Sequence, residues 1–459
     1  MNKPRRNLIA FAVIGLLVSF NGCDSLTSPN SNFGDLDELT SNPNRVSLAT
    51  AAQGLIIGYR AYFLGPNDIV SGLGILGRES YNHDVADPRF ESEMLGGDLQ
   101  PSSPAFGGNF WSEPYLDIKL GQILLDGVDQ VDETEVSAGE KEALRGFAKT
   151  MQALEFLTLV ITRDDNCGCA ITFPEDPRTP APEATKSQVF AHIVQLLDDA
   201  KSDLQGATSF PFRFSSGFSG FDTPATFLQF NRAVRARVAV YLSEWDDALQ
   251  ALSESFLDTS GDLDLGVYHT FSTGSGDRTN ELLQPSGDPN LRAHPSIAID
   301  AEMQLDGVTP DDRLLRKTRT ISTRAYSGLC SPQSQFPDCT VGFDIYNSST
   351  TPIPIIRNEE LILLRAEANI GKSQLGLAED DINLIRGQSG NLPAVTLTSA
   401  SQALDQVLYE KRYSLLFEGG HRWIDLRRYG KLSELPLDLP SHQVNGLYPI
   451  PVGETAARN

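Results

Sequence analysis

Residues 409–430, YEKRYSLLFEGGHRWIDLRRYG, place charged residues among Leu, Phe, Trp and Tyr on both sides of a double glycine. Upstream of this segment, Ser399 and Gln402 form a capping-box pattern that marks the start of a helix. We expect that helix to run through residue 416 and to end at Gly419 and Gly420, because glycine commonly follows the last turn of a helix. The segment therefore predicts two helices joined at a glycine break.

The charges of this segment can pair along and across the break. Asp425 precedes Arg428 by three residues, a spacing that brings side chains together on a helix. Glu418 precedes Arg422 by four residues and can pair with it only if the glycine break is tight. A catalytic site more often leaves an acid or base unmatched, with a shifted pKa. We therefore predict that the segment organises a helix junction, and we assign this structural role to Glu418, Arg422, Trp423, Asp425 and Arg427.

The first 22 residues are typical of a secretory signal peptide. Lys3, Arg5 and Arg6 precede an apolar run at residues 8–20, which is short for a membrane span and suits the apolar region of an export signal. We expect residues 1–22 to be removed and the polar segment 23–44 to form a tether.

Cys23 directly follows Gly22 at the end of the apolar run, which resembles the lipobox of bacterial lipoproteins. The resemblance implies that Cys23 becomes the acylated first residue, carrying diacylglyceryl and palmitate groups. The alternative is cleavage nearby that leaves Cys23 as a thiol. By this resemblance we expect a lipid-anchored protein of the outer membrane that faces the cell surface, with a periplasmic orientation as the alternative. Asp24 keeps retention at the inner membrane open as a further alternative.

The remaining cysteines are even in number, as in many exported proteins. Cys330 and Cys339 enclose a short loop with two prolines, and we expect a disulfide between them. Cys167 and Cys169 either close a tight ring or stay unbridged. No further soft ligands lie near Cys167 and Cys169 in the sequence, which argues against zinc.

The net charge excludes one class of partner. The chain has 37 Lys and Arg against 60 Asp and Glu, for a net charge of −23. Such a chain repels phosphate backbones. We expect no nucleic acid partner.

Helical periodicity dominates the sequence, and IPII and VTL are the best of few strand candidates. Ala236 and Ala248 lie twelve residues apart around a polar turn, and Ala366 and Ala378 repeat this spacing. Small residues at such positions let antiparallel helices approach, as in tetratricopeptide hairpins. We predict a mainly α fold with tetratricopeptide-like hairpins and long irregular loops.

Residues 45–258 form the predicted N-terminal helical region, 259–354 a loop-rich insertion, and 355–459 the C-terminal region. The insertion and residues 77–108 are rich in Gly, Ser, Pro and Asp with isolated aromatic residues, a composition typical of binding loops. The candidate ligand contacts in these loops are Tyr81, His83, Asp84, Tyr268, His269 and Arg292, with Asn82, His294, Tyr326 and Phe343 as further candidates. Each of them is alternatively an anchor that holds its loop to the core.

Enzyme motifs are weak. Gly72, Gly74 and Gly77 have dinucleotide-loop spacing, but no strand precedes them. Asp311 and Asp312 are adjacent and more typical of a helix cap than of a glycosidase pair. We expect neither catalysis, nor a cofactor, nor a metal.

The segment YEKRYSLLFEGGHRWIDLRRYGKL resembles the C-terminal signature of the SusD/RagB family of outer-membrane nutrient-binding lipoproteins. IPIIRNEELILLRAEANIGKSQ and LYPIPVGE resemble two other family segments, and the similarity extends over most of the chain. The family implies a tetratricopeptide-like platform that captures an oligosaccharide or other nutrient for a TonB-dependent, SusC-like transporter. Gly420 and the short chain depart from the family pattern, and no ligand residue can be carried over.

Two other functions remain open. An exported glycosidase on a helical scaffold would need two carboxylates about 5–9.5 Å apart across a cleft. A tetratricopeptide-type scaffold would bind peptides in a concave groove.

Overall fold

The computed structural model describes residues 36–102, 109–174 and 179–458. Its helices are, in chain order, α1 (Leu36–Ser41), α2 (Arg45–Arg60), α3 (Ile69–Leu76), α4 (Arg89–Ser92), α5 (Asn109–Gln130), α6 (Ala138–Arg163), α7 (Lys186–Gly206), α8 (Pro224–Leu242), α9 (Trp245–Ser253), α10 (Ser296–Ile299), α11 (Asp312–Lys317), α12 (Asn358–Gly371), α13 (Leu375–Gln388), α14 (Ala400–Ser414), α15 (His421–Arg428) and α16 (Val452–Arg458). The mainly α prediction is confirmed.

The strands in the described residues are short and pair antiparallel, two by two. The pairs are β1 (Ser80–Asn82) with β5 (Leu291–Ala293), β2 (Cys169–Ala170) with β3 (Glu183–Ala184), β4 (Gly266–His269) with β8 (Ile353–Arg357), and β6 (Thr318–Thr320) with β7 (Val341–Phe343). The predicted strand IPII lies in β8, whereas VTL at 395–397 is irregular.

Side-chain caps determine where several long helices begin. Ser137 and Glu140 form a capping box at the start of α6, and Thr185 and Gln188 form another at the start of α7. Pro224 occupies the first turn of α8, where its missing N–H costs no hydrogen bond. These local signals fix where the long helices begin.

The two predicted hairpins are α8 with α9 and α12 with α13. Ala236, Ala248, Ala366 and Ala378 are all fully buried, so these small residues lie where the helices of each hairpin meet. The hairpins also contact one another, because Trp245 packs over Gly371, where an added Cβ would lie 2.3 Å from the indole. Helices α12, α13 and α14 then enclose a separate apolar cluster around Ile382.

The segment 409–430 ends one helix and begins another, as predicted, but the first helix ends earlier than predicted. Helix α14 ends at Ser414, two residues earlier than expected, and Phe417 takes a left-handed φ of 58°. That turn places the Phe417 ring flat on Phe343, with centroids 3.9 Å apart. Gly420, with φ 76°, then caps α15. Packing of one aromatic ring therefore decides the helix end.

Gly72 and Gly74 lie inside α3 rather than in a phosphate-binding loop. A Cβ on Gly74 would lie 2.9 Å from the Phe417 ring, and one on Gly72 would lie 2.8 Å from the Tyr448 hydroxyl. These glycines let α3 approach the C-terminal region closely.

Four buried charges form a closed ring at the junction. Lys411 Nζ lies 2.7 Å from Asp425 and 3.0 Å from Glu367. Arg428 contacts the same two carboxylates at 2.7 and 2.5 Å. Burial raises the pKa of Asp425, but Lys411 and Arg428 outweigh it and hold that pKa below its usual value. The predicted Asp425–Arg428 contact is part of this ring.

Glu418 pairs differently from the expectation. It binds Lys317 at 2.6 Å and Arg357 at 3.1 Å, rather than Arg422. The glycine break turns the chain, so Glu418 faces α11 and β8. Arg422 instead donates to the backbone oxygen of Arg78 at 3.0 Å.

Trp423 and Arg427 complete the junction. Trp423 is fully buried and donates from its indole to the backbone oxygen of Asn445 at 2.9 Å. The guanidinium of Arg427 lies 4.3 Å from the centroid of the Trp423 ring, which is a cation–π contact. It also donates to the backbone oxygens of Gly446 and Ile161. The two side chains thereby join α15 to the C-terminal segment and to α6.

We predict that Gly420→Ala destabilises the protein by about 3 kcal/mol or more in urea unfolding. The new Cβ would lie 2.1 Å from Leu73. The alanine would also have to keep the left-handed φ of this position, which an L-residue adopts at a cost. Gly430→Ala is the matched control, since φ is 66° there but no atom lies within 4 Å; its cost is about 1 kcal/mol. Equal costs would contradict the close approach of α15 to α3.

We predict that Asp425→Ala lowers the free energy of unfolding by about 3–5 kcal/mol, because Lys411 and Arg428 lose a buried counterion. Asp405→Ala is the control: Asp405 pairs with Lys431 at 3.0 Å with 59% of its side chain exposed, and its loss costs at most about 1 kcal/mol. Chemical denaturation followed by circular dichroism measures both. Similar values for the two variants would refute the buried ring.

Candidate functional site

The residues predicted to contact ligand lie at two separate places. Tyr81 in β1 faces Arg292 in β5, and the backbone N–H of His83 donates to Asn290 at 2.7 Å just beyond the paired strands. Tyr268 and His269 lie on β4, which pairs with β8. The structure therefore brings residues from the two irregular stretches together, but as two groups.

The group around Tyr81 is an interior stack. The Tyr81 and His83 rings lie 5.7 Å apart, and Tyr326 continues the stack 5.3 Å from His83. Tyr81, His83 and Arg292 are fully buried. Arg292 donates to Ser322 and Cys339 backbone oxygens, so it joins the loops of the insertion to one another.

Other members of the predicted set also hold loops in place. Asp84 is half-buried, and its backbone oxygen accepts from the Tyr326 hydroxyl at 2.9 Å. Asn82 is buried and accepts from the backbone N–H of Asp84. Phe343 is buried beneath Phe417. These contacts favour the alternative that Asp84, Asn82 and Phe343 anchor their loops to the core.

His294 lies between a serine and an aspartate that are both buried. Its Nδ1 lies 2.8 Å from Ser296 Oγ, and its Nε2 lies 2.9 Å from Asp438. This order of groups is that of a hydrolase triad. However, Ser296 is only 3% exposed and its hydroxyl accepts from Arg412 at 2.9 Å. A substrate carbonyl has no access to that oxygen, so the arrangement is structural.

His269 and Tyr268 point to opposite sides of β4. His269 is buried between Tyr59 and Phe63, with ring centroids 5.0 and 4.5 Å away, and burial lowers its pKa to about 3. Tyr268 is half-buried and faces a cleft. Of the six candidate residues, Tyr268 is the one that lines this cleft.

The cleft has a volume of about 320 Å³ and combines tyrosine rings with polar groups. Side chains alternate between the two faces of β4, so Val267 and His269 are buried while Tyr268 lies on the more exposed face. Helix α11 supplies Arg316, the turn before β4 supplies Asp264, and the loop after β7 supplies Asp344, Asn347 and Thr351. The side chains that line the cleft include Asp264, Tyr268, Arg316, Asp344, Tyr346, Asn347 and Thr351.

Both tyrosines of the cleft are held by backbone oxygens. The Tyr268 hydroxyl donates to the backbone oxygen of Asp264, and the Tyr346 hydroxyl donates to that of Phe417 at 2.8 Å. Tyr346 is 3% exposed, so the more accessible Tyr268 offers the aromatic face.

The floor of the cleft is a buried ionic network. Arg357 pairs with Glu359 and Glu418, and Lys317 pairs with Glu418. Burial raises the pKa of Glu359, but Arg357 and Lys317 outweigh it and bring that pKa to about 2. The same cations hold the pKa of Glu418 below its usual value against burial. A glycosidase acid needs a raised pKa, so these two carboxylates suit a fixed floor and not proton donation.

The rim carries the groups that solvent can reach. The side chains of Asp264 and Asp344 are 73% and 41% exposed and pair with Arg357 and Arg319. Asn347 and Thr351 add an amide and a hydroxyl. Sequence reasoning identified Tyr268 but missed this loop, although DIYNSSTT sets one tyrosine among polar residues.

Two disulfides occur in the described residues. Cys330 is bonded to Cys339, and Cys167 to Cys169. The first closes the loop that follows Tyr326, and Cys330 Sγ lies 3.6 Å from the His83 ring. The predicted signal peptide and the predicted lipidation site Cys23 lie outside the described residues.

No group of three or more His, Cys, Asp or Glu side chains in the described residues is arranged to hold a metal ion. No helix within 36–102, 109–174 or 179–458 combines the length and apolar character that crossing a membrane requires.

Comparison with known proteins extends these observations. Residues 335–452 match the model of the SusD family, and no curated protein matches the chain. A SusD-like carbohydrate binding protein from Bacteroides fragilis aligns over 92% of this chain and 99% of its own, with 15% identity and a TM-score of 0.70. A laminarin binding SusD-like protein aligns over 90% of this chain and 98% of its own, with 17% identity and a TM-score of 0.62.

A SusD superfamily protein from Bacteroides thetaiotaomicron also aligns, over 90% of this chain and 98% of its own, with 15% identity and a TM-score of 0.65. At these identities the likeness is one of fold. The chain therefore has the SusD-like helical fold over nine-tenths of its length, and its resemblance to the SusD/RagB family, first indicated by residues 409–430, is confirmed by a family match that contains them.

Proposed function

We propose that this protein captures a neutral oligosaccharide in the cleft beside Tyr268. As a lipoprotein anchored to the outer membrane through Cys23 and facing the cell surface, it then delivers that ligand to a TonB-dependent, SusC-like transporter.

The observation that carries the proposal is the composition of the cleft. A sugar ring offers an apolar face and a girdle of hydroxyls, which an aromatic face and convergent polar groups recognise. Tyr268 supplies the face, while Asp264, Asp344 and Asn347 supply acceptors and Arg316 supplies donors. The volume of about 320 Å³ suits one or two sugar units.

Charge favours a neutral ligand at this site. Two exposed aspartates stand on the rim, and the whole chain carries −23, so a polyanion would be repelled at low salt. Carbohydrate is also what the Bacteroides fragilis and laminarin binding proteins of the same fold are described as binding.

The glycosidase alternative is less well supported. The floor carboxylates Glu359 and Glu418 are held ionised by Arg357 and Lys317, which leaves them unsuited to protonating a leaving group. The peptide-scaffold alternative places the ligand in a groove of the hairpins, and the polar cleft lies in the loop-rich insertion instead.

We predict that Tyr268→Ala weakens binding about five- to thirtyfold for any neutral oligosaccharide that a panel including β-glucan fragments identifies. Loss of the stacking face removes about 1–2 kcal/mol, which isothermal titration calorimetry measures. Phe173→Ala is the control, because Phe173 is 39% exposed and does not line the cleft. Equal affinities for Tyr268→Ala and wild type, or release of shortened sugars during incubation, would contradict the proposal.

We predict that Cys23→Ser moves the protein from the membrane fraction to the soluble fraction, since the acylated thiol is its proposed anchor. Mass spectrometry of the wild-type N-terminus should show cleavage before Cys23 and a diacylglyceryl group.

A TonB-dependent transporter should co-purify from detergent extracts of wild-type cells. An unmodified mature N-terminus elsewhere would refute the anchor, and persistent absence of the transporter would favour the scaffold alternative.

A further inference from the structure

A second pocket, of about 310 Å³, lies between α14 and α15. Its lining includes Leu408, Tyr409, Arg412, Arg422, Asp405 and Glu434, and it shares no lining residue with the cleft beside Tyr268. It is therefore a candidate binding site separate from the cleft of the proposed function.

Most charges in this pocket already have partners. Arg412 pairs with Asp300 at 2.8 Å. Asp405 and Glu434 both pair with Lys431, at 3.0 and 2.5 Å. Lys411 and Asp425 belong to the buried ring at the junction.

Arg422 is the exception. Its Nη1 donates to a backbone oxygen, and no carboxylate of the described residues lies within 4 Å of its guanidinium. Arg412 faces it from α14, and burial together with repulsion from Arg412 lowers the pKa of Arg422. Glu79 and Asp300 both favour the charged form of Arg422, but burial raises the pKa of Glu79 to about 7 and Asp300 pairs with Arg412 at 2.8 Å. One cation in the wall of the pocket is thus left without a full partner.

We infer that this pocket binds the carboxylate of an acidic sugar, such as a uronic acid, through Arg422 and Arg412. A guanidinium pairs with a carboxylate through two parallel hydrogen bonds, and one carboxylate matches the single unmatched cation. Tyr409 and Leu408 offer apolar surface to the ring, and the exposed carboxylates of Asp405 and Glu434 accept from hydroxyls.

The same lining disfavours a doubly charged ligand. Asp300, Asp405, Asp425 and Glu434 line the same pocket as the two arginines, so a phosphate dianion would meet four carboxylates for one unmatched cation. A neutral sugar would leave Arg422 unpaired. The monoanionic sugar is the class that satisfies both constraints.

Calorimetric titration of the full-length protein with sodium glucuronate tests this inference, with glucose as the neutral comparison. We expect glucuronate to bind at least tenfold more tightly than glucose, and we expect its affinity to fall as the salt concentration is raised. We expect Arg422→Gln to reduce glucuronate affinity at least tenfold and Arg422→Lys to reduce it less, because Lys keeps the charge and loses the bidentate geometry. Arg316→Gln, in the other cleft, should leave glucuronate binding unchanged.

Thermal unfolding of each variant verifies its fold, and Arg422→Lys retains the test if Arg422→Gln does not fold. Glucuronate binding no tighter than glucose, or unaffected by both Arg422 variants, would overturn the inference. Inorganic phosphate binding as tightly as glucuronate would also overturn it in favour of a general anion site. Tyr268→Ala separates this site from the proposed function, since it should leave glucuronate binding intact.

Discussion

Two buried carboxylates that share two buried cations hold the C-terminal half of this protein together. Glu367 comes from α12, Lys411 from α14, and Asp425 and Arg428 from α15. Removing four charges from water is expensive, and the ring repays that cost only when every member is present. We therefore expect the ring to favour one packing of these three helices, because an arrangement that misplaces one of them leaves a charge unpaired in the core.

Buried ion pairs also connect the family signature to the cleft. Glu418 sits in the glycine break of the signature, yet its partners Lys317 and Arg357 form the cleft floor. The break turns the chain so that this carboxylate faces α11 and β8, and the Phe417 ring fixes the turn by stacking on Phe343. In the proposed function the signature thus does not touch the ligand of the cleft through its exposed rim, but it sets the rigid floor on which the loops of the cleft stand.

Sequence reasoning succeeded where the controlling interactions are local. Helical periodicity, capping patterns and the alanine spacing of the hairpins all act within about a dozen residues, and each has its counterpart in the structure. The Asp425–Arg428 contact is of this kind, because three residues along a helix bring the side chains together. The end of α14 at Ser414 was missed because it depends on Phe343, which lies far away in the chain.

The cleft was harder to foresee for the same reason. Glu418 is 61 residues from Arg357 and 101 from Lys317, so no spacing rule relates them. Tyr81, His83 and Arg292 have the residue types of a sugar site, but the pairing of β1 with β5 places them inside the protein. Tyr268 and His269 are adjacent in sequence and lie on opposite faces of β4, and only the packing of that strand decides which face is buried.

Both proposed sites depend on how completely the charges around them are paired. At the cleft, Arg357 and Lys317 are fully engaged with Glu359 and Glu418, so the floor has no cation left over and the exposed aspartates set the character of the rim. At the second pocket the acids are engaged and Arg422 is left over. Neighbouring regions of one acidic protein can therefore prefer ligands of different charge, because an unmatched group within contact distance outweighs a net charge that solvent and salt screen.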